Sequence, residues 1–174
     1  MSAGATGAVR LRQHAEAAIR DAVPADVGRI LGLIRDLASY ERAAHEVETT
    51  EPMLHDALFG AAPLARAVVV DGHDRLDGFA LFFTSFSTWT GRGGLYLEDL
   101  YVRPEARGTG LGRALLRHLA REAVRLGCAR LEWSVLDWNE PAIGFYRSLG
   151  AEPLDEWIRY RLAGDALARL AQEE

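Results

Sequence analysis

A glycine-rich run near residue 110 is the part of this sequence whose residue types best suit a chemical task. The run reads Arg107-Gly108-Thr109-Gly110-Leu111-Gly112 and separates an apolar segment from a long amphipathic one. Glycines let the chain turn tightly and let a ligand approach the backbone, and free N–H groups at a helix N-terminus bind phosphate. Arg107 and Arg113 add positive charge. The run predicts a diphosphate-binding loop that opens a helix, and a glycine turn that binds nothing is the alternative.

Two other phosphate-binding patterns do not fit this run. A dinucleotide-binding fold needs G-x-G-x-x-G early in a β-α-β unit, whereas Gly108, Gly110 and Gly112 have a different spacing and lie late in the chain. A nucleoside-triphosphate loop needs Gly-Lys-Ser/Thr, which is absent from the run. If the run binds a diphosphate, the diphosphate belongs to another kind of ligand.

The spacing of apolar residues predicts the elements that must position this loop. Helices are expected from Pro24-Ala25-Asp26 to Leu37, from Thr49 to about Leu58, from Arg113 to Leu126 and from Asn139 to Leu149. Strands are expected over Ile19–Val23, Ala67–Val70, Leu76–Thr84, Leu95–Val102, Leu131–Leu136 and Trp157–Leu162. Turns are expected at 71–74 and 91–94. The order β-α-α-β-β-β-α-β-α-β predicts an α/β fold, a mixed sheet with helices on both faces.

Length, composition and charge limit the remaining possibilities. The 174 residues suit a single domain, predicted over residues 18–174 after a flexible Ala/Gly-rich tail over 1–17, for which a transit peptide is the alternative. The net charge of −5 has both signs interleaved, which argues against a nucleic-acid partner. No apolar run reaches membrane length and no secretory segment follows Met1, so a cytoplasmic protein is expected. The single cysteine, Cys128, joins no cluster with zinc spacing, so no metal is expected.

Two segments carry a resemblance to a known family. Val102 to Gly112 resembles the signature of the GNAT acetyltransferases, whose pattern is Arg/Gln-x-x-Gly-x-Gly/Ala, and Asp137 to Tyr146 resembles the Asn…Tyr helix of the same family. The resemblance covers about Ile19 to Leu162. It implies the GNAT fold, with a mixed, mostly antiparallel central sheet of about six to seven strands, and it implies acetyl-CoA as co-substrate.

Three shorter segments narrow the resemblance. Leu33 to Glu41, Tyr96 to Leu100 and Trp138 to Pro141 are similar to the diamine (spermidine/spermine) acetyltransferases and to their thialysine-acetylating sister group. This implies a homodimer that transfers acetyl to a primary amine of a small cationic acceptor by direct attack in a ternary complex. The alternatives are another acceptor (thialysine or another amino acid, a xenobiotic amine, a protein N-terminus) and a catalytically silent CoA-binding module.

The resemblance also assigns the two catalytic roles. A primary ammonium with a pKa of about 10.4 must lose a proton before it attacks a thioester, and Glu98 matches the carboxylate that holds it and accepts that proton. Tyr146 matches the general acid that protonates the CoA thiolate. Successive strand residues face opposite ways, so Glu98 and Asp99 share one cleft only if a β-bulge intervenes. Asp99 is therefore given a structural role.

The binding residues follow from the same resemblance. Acetyl-CoA is expected to contact the end of the Leu95–Val102 strand, whose backbone N–H near Leu100 faces the oxyanion, then the glycine loop and the Asn…Tyr helix: Leu100, Tyr101, Val102, Arg107, Gly108, Thr109, Gly110, Leu111, Gly112, Arg113, Asn139, Pro141 and Ala142. The acceptor is expected to contact Tyr40, Glu41, Glu98, Glu132, Trp133 and Ser134. The segment before that strand departs from the pattern, because it is glycine-rich at 91–94 and carries Arg92. Positive charge there argues against strict polyamine specificity.

Overall fold

The computed structural model describes residues 19–173. The predicted tail over residues 1–17 lies outside the described residues. The chain divides into two compact units, the first ending at Ser134 and the second beginning at Val135. A single domain over 18–174 stays a prediction, and each unit is described by itself.

The first unit is built on one five-stranded sheet. Its elements are β1 Ile19–Asp21, α1 Val27–Tyr40, α2 Glu51–Phe59, β2 Arg66–Asp71, β3 Leu76–Ser87, β4 Arg92–Val102, α3 Leu111–Arg125 and β5 Leu131–Trp133. The strand order is β1-β2-β3-β4-β5. Every pairing is antiparallel except the parallel pairing of β4 with β5. The predicted mixed, mostly antiparallel sheet is confirmed, but the predicted count of six to seven strands is too high for the described residues.

The missing strand is the one predicted over Trp157–Leu162. The second unit contains two helices, α4 Glu140–Arg147 and α5 Gly164–Leu170, and the described part of the chain forms no strand between them. Alternating apolar residues give a segment strand propensity, but a strand exists only when a neighbour completes its hydrogen bonds. Ile158 and Tyr160 are 78% and 92% exposed, as expected of a segment that no sheet has covered.

Helices cover both faces of the sheet in the first unit. On one face α1 and α2 pack on a core that includes Ile30, Leu58, Val69 and Phe79. On the other face α3 packs against β3, β4 and β5, and its Leu115 and Leu119 have no exposed surface. All four residues from Ala67 to Val70 in β2 are buried, because successive strand residues face the two helical layers in turn. The core thus lies in two layers with the sheet between them.

Several boundaries differ from the predicted ones. Thr50, and not Thr49, caps α2, since its side chain accepts a hydrogen bond from the Met53 amide. A one-turn 3₁₀ helix over Pro24–Asp26 precedes α1. Gly93 and Gly94 belong to β4, which begins at Arg92, so the turn predicted at 91–94 lies just before them. β5 ends at Trp133 instead of Leu136.

A buried carboxylate joins the first strand to the first helix. Asp26 has no exposed surface and accepts hydrogen bonds from Arg20 at 2.6 Å, from Arg29 at 2.7 Å and from the Val23 amide at 2.9 Å. The hydrogen bond from Arg20 is the largest effect that lowers the pKa of Asp26 below its usual value. Arg20 also pairs with Asp71 at 2.6 Å. The network holds β1, the 3₁₀ turn and β2 together.

We expect Asp26→Asn to lower the free energy of unfolding at pH 7 by about 2 to 4 kcal/mol, because it leaves buried donors without an anionic acceptor. A lowered carboxyl pKa contributes stability above its unfolded value, and that contribution is lost as the pH falls through the folded pKa. The difference between variant and parent should therefore shrink below about pH 4.

Urea unfolding at pH 7 and pH 3 measures this difference. Asp71→Asn is the matched control, because Asp71 shares Arg20 but is 45% exposed, and its loss should cost less than about 1 kcal/mol. Equal effects of the two substitutions would show that burial of Asp26 is unimportant.

Candidate active site

An extra residue interrupts β4 at Glu98. Leu97 pairs with Phe82 and Asp99 pairs with Leu81, so Glu98 has no residue opposite it on β3. Such a bulge kinks the strand and reverses the alternation of its side chains. Leu81 packs against the core under α1 and α2, so Asp99 shares that face of the sheet. This is the exception that the sequence analysis allowed for Glu98 and Asp99.

The bulge coincides with the end of the β4–β5 ladder. The last parallel pair joins Leu97 to Trp133, which leaves β5 with only three residues. From Glu98 to Val102, β3 is the only described strand that pairs with β4. This stretch contains Leu100, Tyr101 and Val102, three of the residues predicted to bind acetyl-CoA. An unpaired strand edge presents backbone donors and acceptors to an extended ligand.

Three carboxyl groups gather between the bulge and the end of α1. Burial and, to a smaller extent, the negative charges of Glu98 and Glu41 together raise the pKa of Asp99 to about 6. Burial also raises the pKa of Glu41. Glu98 itself is exposed. The structure thus brings together two predicted acceptor-binding residues and adds Asp99, which the sequence analysis had given a structural role.

The backbone after α1 fixes the position of Glu41. Arg42 adopts a left-handed conformation with φ of 62°. The Arg42 amide bonds to the Ser39 carbonyl at 3.2 Å, and the Ala43 amide bonds to the Ala38 carbonyl at 2.8 Å. These two bonds define a Schellman motif, in which glycine usually occupies the position of Arg42. A non-glycine residue costs about 1 to 2 kcal/mol there. The motif forms in spite of this cost and holds the Glu41 backbone in place.

The glycine loop has the backbone that a phosphate site needs. Gly108 and Gly110 have φ of 76° and 92°, a region that favours glycine. The first hydrogen bond of α3 runs from the Ala114 amide to the Gly110 carbonyl. The amides of residues 111–113 therefore precede the helical hydrogen bonds and point out of the helix end. The predicted loop residues Leu111, Gly112 and Arg113 form this first turn.

The side chain of Arg107 turns back onto the protein. Its Nε donates to the Val102 carbonyl at 2.9 Å, and its guanidinium lies 5.1 Å from the ring centre of Tyr40 and 5.5 Å from that of Tyr101. These cation–π contacts join the loop to α1 and β4. Thr109 closes the loop with a hydrogen bond to the Ala106 carbonyl at 2.7 Å. The side chains of Arg107 and Thr109 thus shape the loop, and its amides face outward.

The predicted acceptor-binding residues Glu132 and Trp133 of β5, and Ser134 just after it, are engaged in different ways. Glu132 forms an ion pair with Arg130 at 2.7 Å. The Ser134 hydroxyl lies 2.9 Å from the Tyr96 hydroxyl. Trp133 is half-buried and pairs with Leu97. Arg130 is a residue that the sequence analysis did not select, although its position two residues before Glu132 was a usable signal.

The remaining predicted residues lie in the second unit. Asn139 caps α4, because its side-chain oxygen accepts a hydrogen bond from the Ala142 amide at 3.4 Å. Pro141 occupies the second helical position, where a missing N–H costs nothing. Tyr146 lies near the end of this helix, with its ring 5.4 Å from that of Phe145. The helix runs from Glu140 to Arg147, shorter at both ends than the predicted Asn139–Leu149.

Residues 19–173 contain neither a cluster of metal-ligating side chains nor a helix that could span a membrane. No three His, Cys, Asp or Glu side chains in this range are grouped as metal ligands would be. No helix in the same range has both the length and the apolar character needed to cross a bilayer.

Comparison with known proteins decides the family. The Acetyltransferase (GNAT) family matches residues 30–151, a range that contains the bulged strand, the glycine loop and α4. The chain belongs to the GNAT family. It is an acetyl-CoA-dependent N-acetyltransferase.

Individual GNAT relatives match over most of their length. Thialysine N-epsilon-acetyltransferase from Bos taurus is 40% identical over 164 residues, which are 88% of this chain and 96% of the relative. L-ornithine N5-acetyltransferase from Arabidopsis thaliana is 32% identical, over 86% of this chain and 85% of the relative. An integron cassette protein from the V. cholerae mobile metagenome has a similar structure, with a TM-score of 0.75 at 30% identity over 89% of this chain and 97% of that one.

We expect Gly110→Ala to weaken acetyl-CoA binding by this GNAT enzyme about tenfold, because a side chain at φ of 92° costs about 1 to 2 kcal/mol and shifts the loop amides. The Kd for CoA, measured by calorimetry, reports the change.

Gly127→Ala provides the control. Gly127 has φ of 69° at the end of α3, and a methyl group would meet no neighbouring atom within 4 Å at either glycine. Both variants should lose similar stability, and only Gly110→Ala should weaken CoA binding. Equal loss of CoA affinity in both variants would show that the glycine loop is not part of the donor site.

Proposed function

We propose that this enzyme transfers the acetyl group of acetyl-CoA to a primary amine of a small cationic acceptor by direct attack in a ternary complex. The observation that carries the proposal is the group of three carboxyls, Glu41, Glu98 and Asp99, beside the unpaired edge of β4. Carboxylates attract an ammonium group and can accept its proton. The relatives named for thialysine and L-ornithine support an acceptor of this kind.

The donor site is proposed along the backbone of the first unit. The amides at the start of α3 suit the CoA diphosphate, and the edge from Leu100 to Val102 suits the amide-containing pantetheine arm. Arg113 adds positive charge near the diphosphate. On the family resemblance, the proposal extends to Asn139, which caps α4, and to Pro141 and Ala142 within α4, as further CoA contacts.

The chemistry begins with the acceptor. Glu41 and Glu98 hold its ammonium group. Asp99, and not Glu98 as the resemblance implied, is proposed to receive the proton through water, because a pKa of about 6 leaves Asp99 ionised at neutral pH and basic enough to do so. The freed amine attacks the thioester carbonyl, and a C–N bond forms. The resulting oxyanion is stabilised by the Leu100 amide, a type of donor worth roughly 3 to 4 kcal/mol in other enzymes.

The intermediate then collapses with cleavage of the C–S bond. Tyr146 donates its phenolic proton to the CoA thiolate, and the tyrosinate is reprotonated by the second proton that the attacking nitrogen loses as the amide forms. The proton first taken by Asp99 leaves to solvent. Direct transfer needs no acyl-enzyme. Cys128 and Ser134 therefore have no role as nucleophiles.

The finer points of the proposal rest on the family resemblance. We propose a homodimer that acts in the cytoplasm and binds neither nucleic acid nor membrane. The interleaved charges of the sequence support the absence of a nucleic-acid partner. Another acceptor amine is the alternative function.

The pH profile of CoA release tests whether Asp99 acts as the base. We expect kcat/KM for a cationic primary amine to rise through an inflection near pH 6, because Asp99 must lose its proton to act as base. It should fall only near the pKa of the amine, about 10.4, because the carboxylates bind the ammonium form. Asp99→Asn should lower kcat/KM about 10²- to 10⁴-fold and remove that inflection.

Asp74→Asn, at a turn position whose side chain is 88% exposed, should leave the profile unchanged. Retention of the inflection in Asp99→Asn would assign it to another group. Absence of CoA release with a panel of cationic primary amines would refute the proposed function itself.

Tyr146→Phe should lower kcat about 10²-fold with little change in KM, because the thiolate then leaves without a proton donor. Tyr160→Phe is the matched control, since Tyr160 is 92% exposed and belongs to no proposed site. A kcat for Tyr146→Phe equal to that of the control would exclude Tyr146 as the acid.

A further inference from the structure

The ion pair between Arg130 and Glu132 presents two opposite charges side by side. Arg130 Nε lies 2.7 Å from Glu132 Oε2, and the two side chains are 41% and 28% exposed. Residues two apart on a strand share one face, and Arg130 extends the β5 ladder because its carbonyl accepts a hydrogen bond from the Leu95 amide. The pair is therefore accessible and fixed to the sheet.

The sheet register puts this ion pair on the same face of the sheet as Asp99, one of the three carboxyls of the proposed site. Glu132 is opposite Tyr96 in the parallel ladder. Tyr96 pairs with Phe83, which lies on the face that Phe79 and Leu81 present to α1 and α2.

The bulge turns Asp99 to that face as well. Tyr96 and Asp99 are three residues apart, or roughly 10 Å along β4. One small molecule bound at both ends can bridge a separation of this size.

A glycine on β4 holds Arg130 in place. A side chain at Gly94 would come within 3.2 Å of Arg130 Cγ and Nε, and within 2.7 Å of Ser85 Oγ. The aliphatic part of Arg130 thus lies flat on the backbone at Gly94. This contact explains one of the glycines that the sequence analysis noted at 91–94, and it gives the guanidinium a defined position.

The charge of the pair distinguishes between classes of cationic acceptor. A diamine or polyamine carries only ammonium groups, so Arg130 repels it and neutralises the one carboxylate, Glu132, that would attract it. The head of an α-amino acid carries a carboxylate beside an ammonium group. Arg130 binds a carboxylate through two parallel hydrogen bonds, and Glu132 accepts from an ammonium group.

We propose that Arg130 and Glu132 form a head-group site that binds the α-carboxylate and α-ammonium of a basic amino acid, whose side-chain amine then reaches Asp99. This inference rests on the proposed acetyl transfer and adds Arg130 as a specificity-determining residue. The enzyme therefore prefers the side-chain amine of a basic amino acid to a diamine of equal chain length.

A matched pair of acceptors tests the site. Ornithine and putrescine differ only in the α-carboxylate, so the ratio of their kcat/KM values isolates its recognition. The parent enzyme should favour ornithine. Arg130→Gln should lower kcat/KM for ornithine about ten- to a hundredfold and leave putrescine unchanged or improved. Arg130→Lys should keep part of the preference, because it keeps the charge but loses the paired hydrogen bonds.

Two further variants complete the design. Glu132→Gln should weaken both acceptors, because each carries an ammonium group at that end. Arg125→Gln, which removes an ion-paired arginine from the end of α3, should leave the ratio unchanged. An unchanged KM for acetyl-CoA in Arg130→Gln shows that the variant is folded.

The outcomes separate the two proposals. If the parent releases CoA with both acceptors but prefers putrescine, or if Arg130→Gln leaves the ratio unchanged, the head-group site is refuted and acetyl transfer stands. If no cationic primary amine supports CoA release, the proposed function fails first.

Discussion

The extra residue at Glu98 is the constraint on which the first unit depends. A regular β4 would keep Leu97 and Asp99 on one buried face and would let the ladder with β5 continue. The bulge instead moves Asp99 to the face beside α1, where its charge adds to those of Glu98 and Glu41. It also coincides with the last β4–β5 pair. One inserted residue thus accounts for both the clustering of the three carboxyls and the unpaired strand edge.

The cluster of three carboxyls depends on side-chain charge, whereas the glycine loop depends on backbone dipoles. Partial burial and mutual repulsion raise the pKa of Asp99, which makes it a better base and costs the folded state stability. The loop instead depends on backbone dipoles, since the guanidinium of Arg107 is turned toward Tyr40 and Tyr101. Positive charge at the loop is thereby held against α1, and the first amides of α3 remain directed outward.

The sequence predicted most elements of the first unit because they follow from local pattern. Regular apolar spacing gave the helix that follows the glycine loop and the β2–β4 strands, each within a few residues of the observed ends. The predictions failed where strand pairing determines the structure. Trp157–Leu162 has strand-like alternation but forms no strand, and β5 stops at Trp133. Local propensity carries no information about whether a partner strand is present.

The sequence by itself determined the GNAT family and the residue types at the candidate site, because the glycine loop and the Asn…Tyr segment are contiguous motifs. The tertiary structure alone decided that Asp99 joins Glu98 and Glu41, that Arg107 lies against two aromatic rings, and that Arg130 pairs with Glu132 over Gly94. The physical reason is that strand register and a bulge set which face a side chain occupies, and pKa values and ion pairs depend on that face.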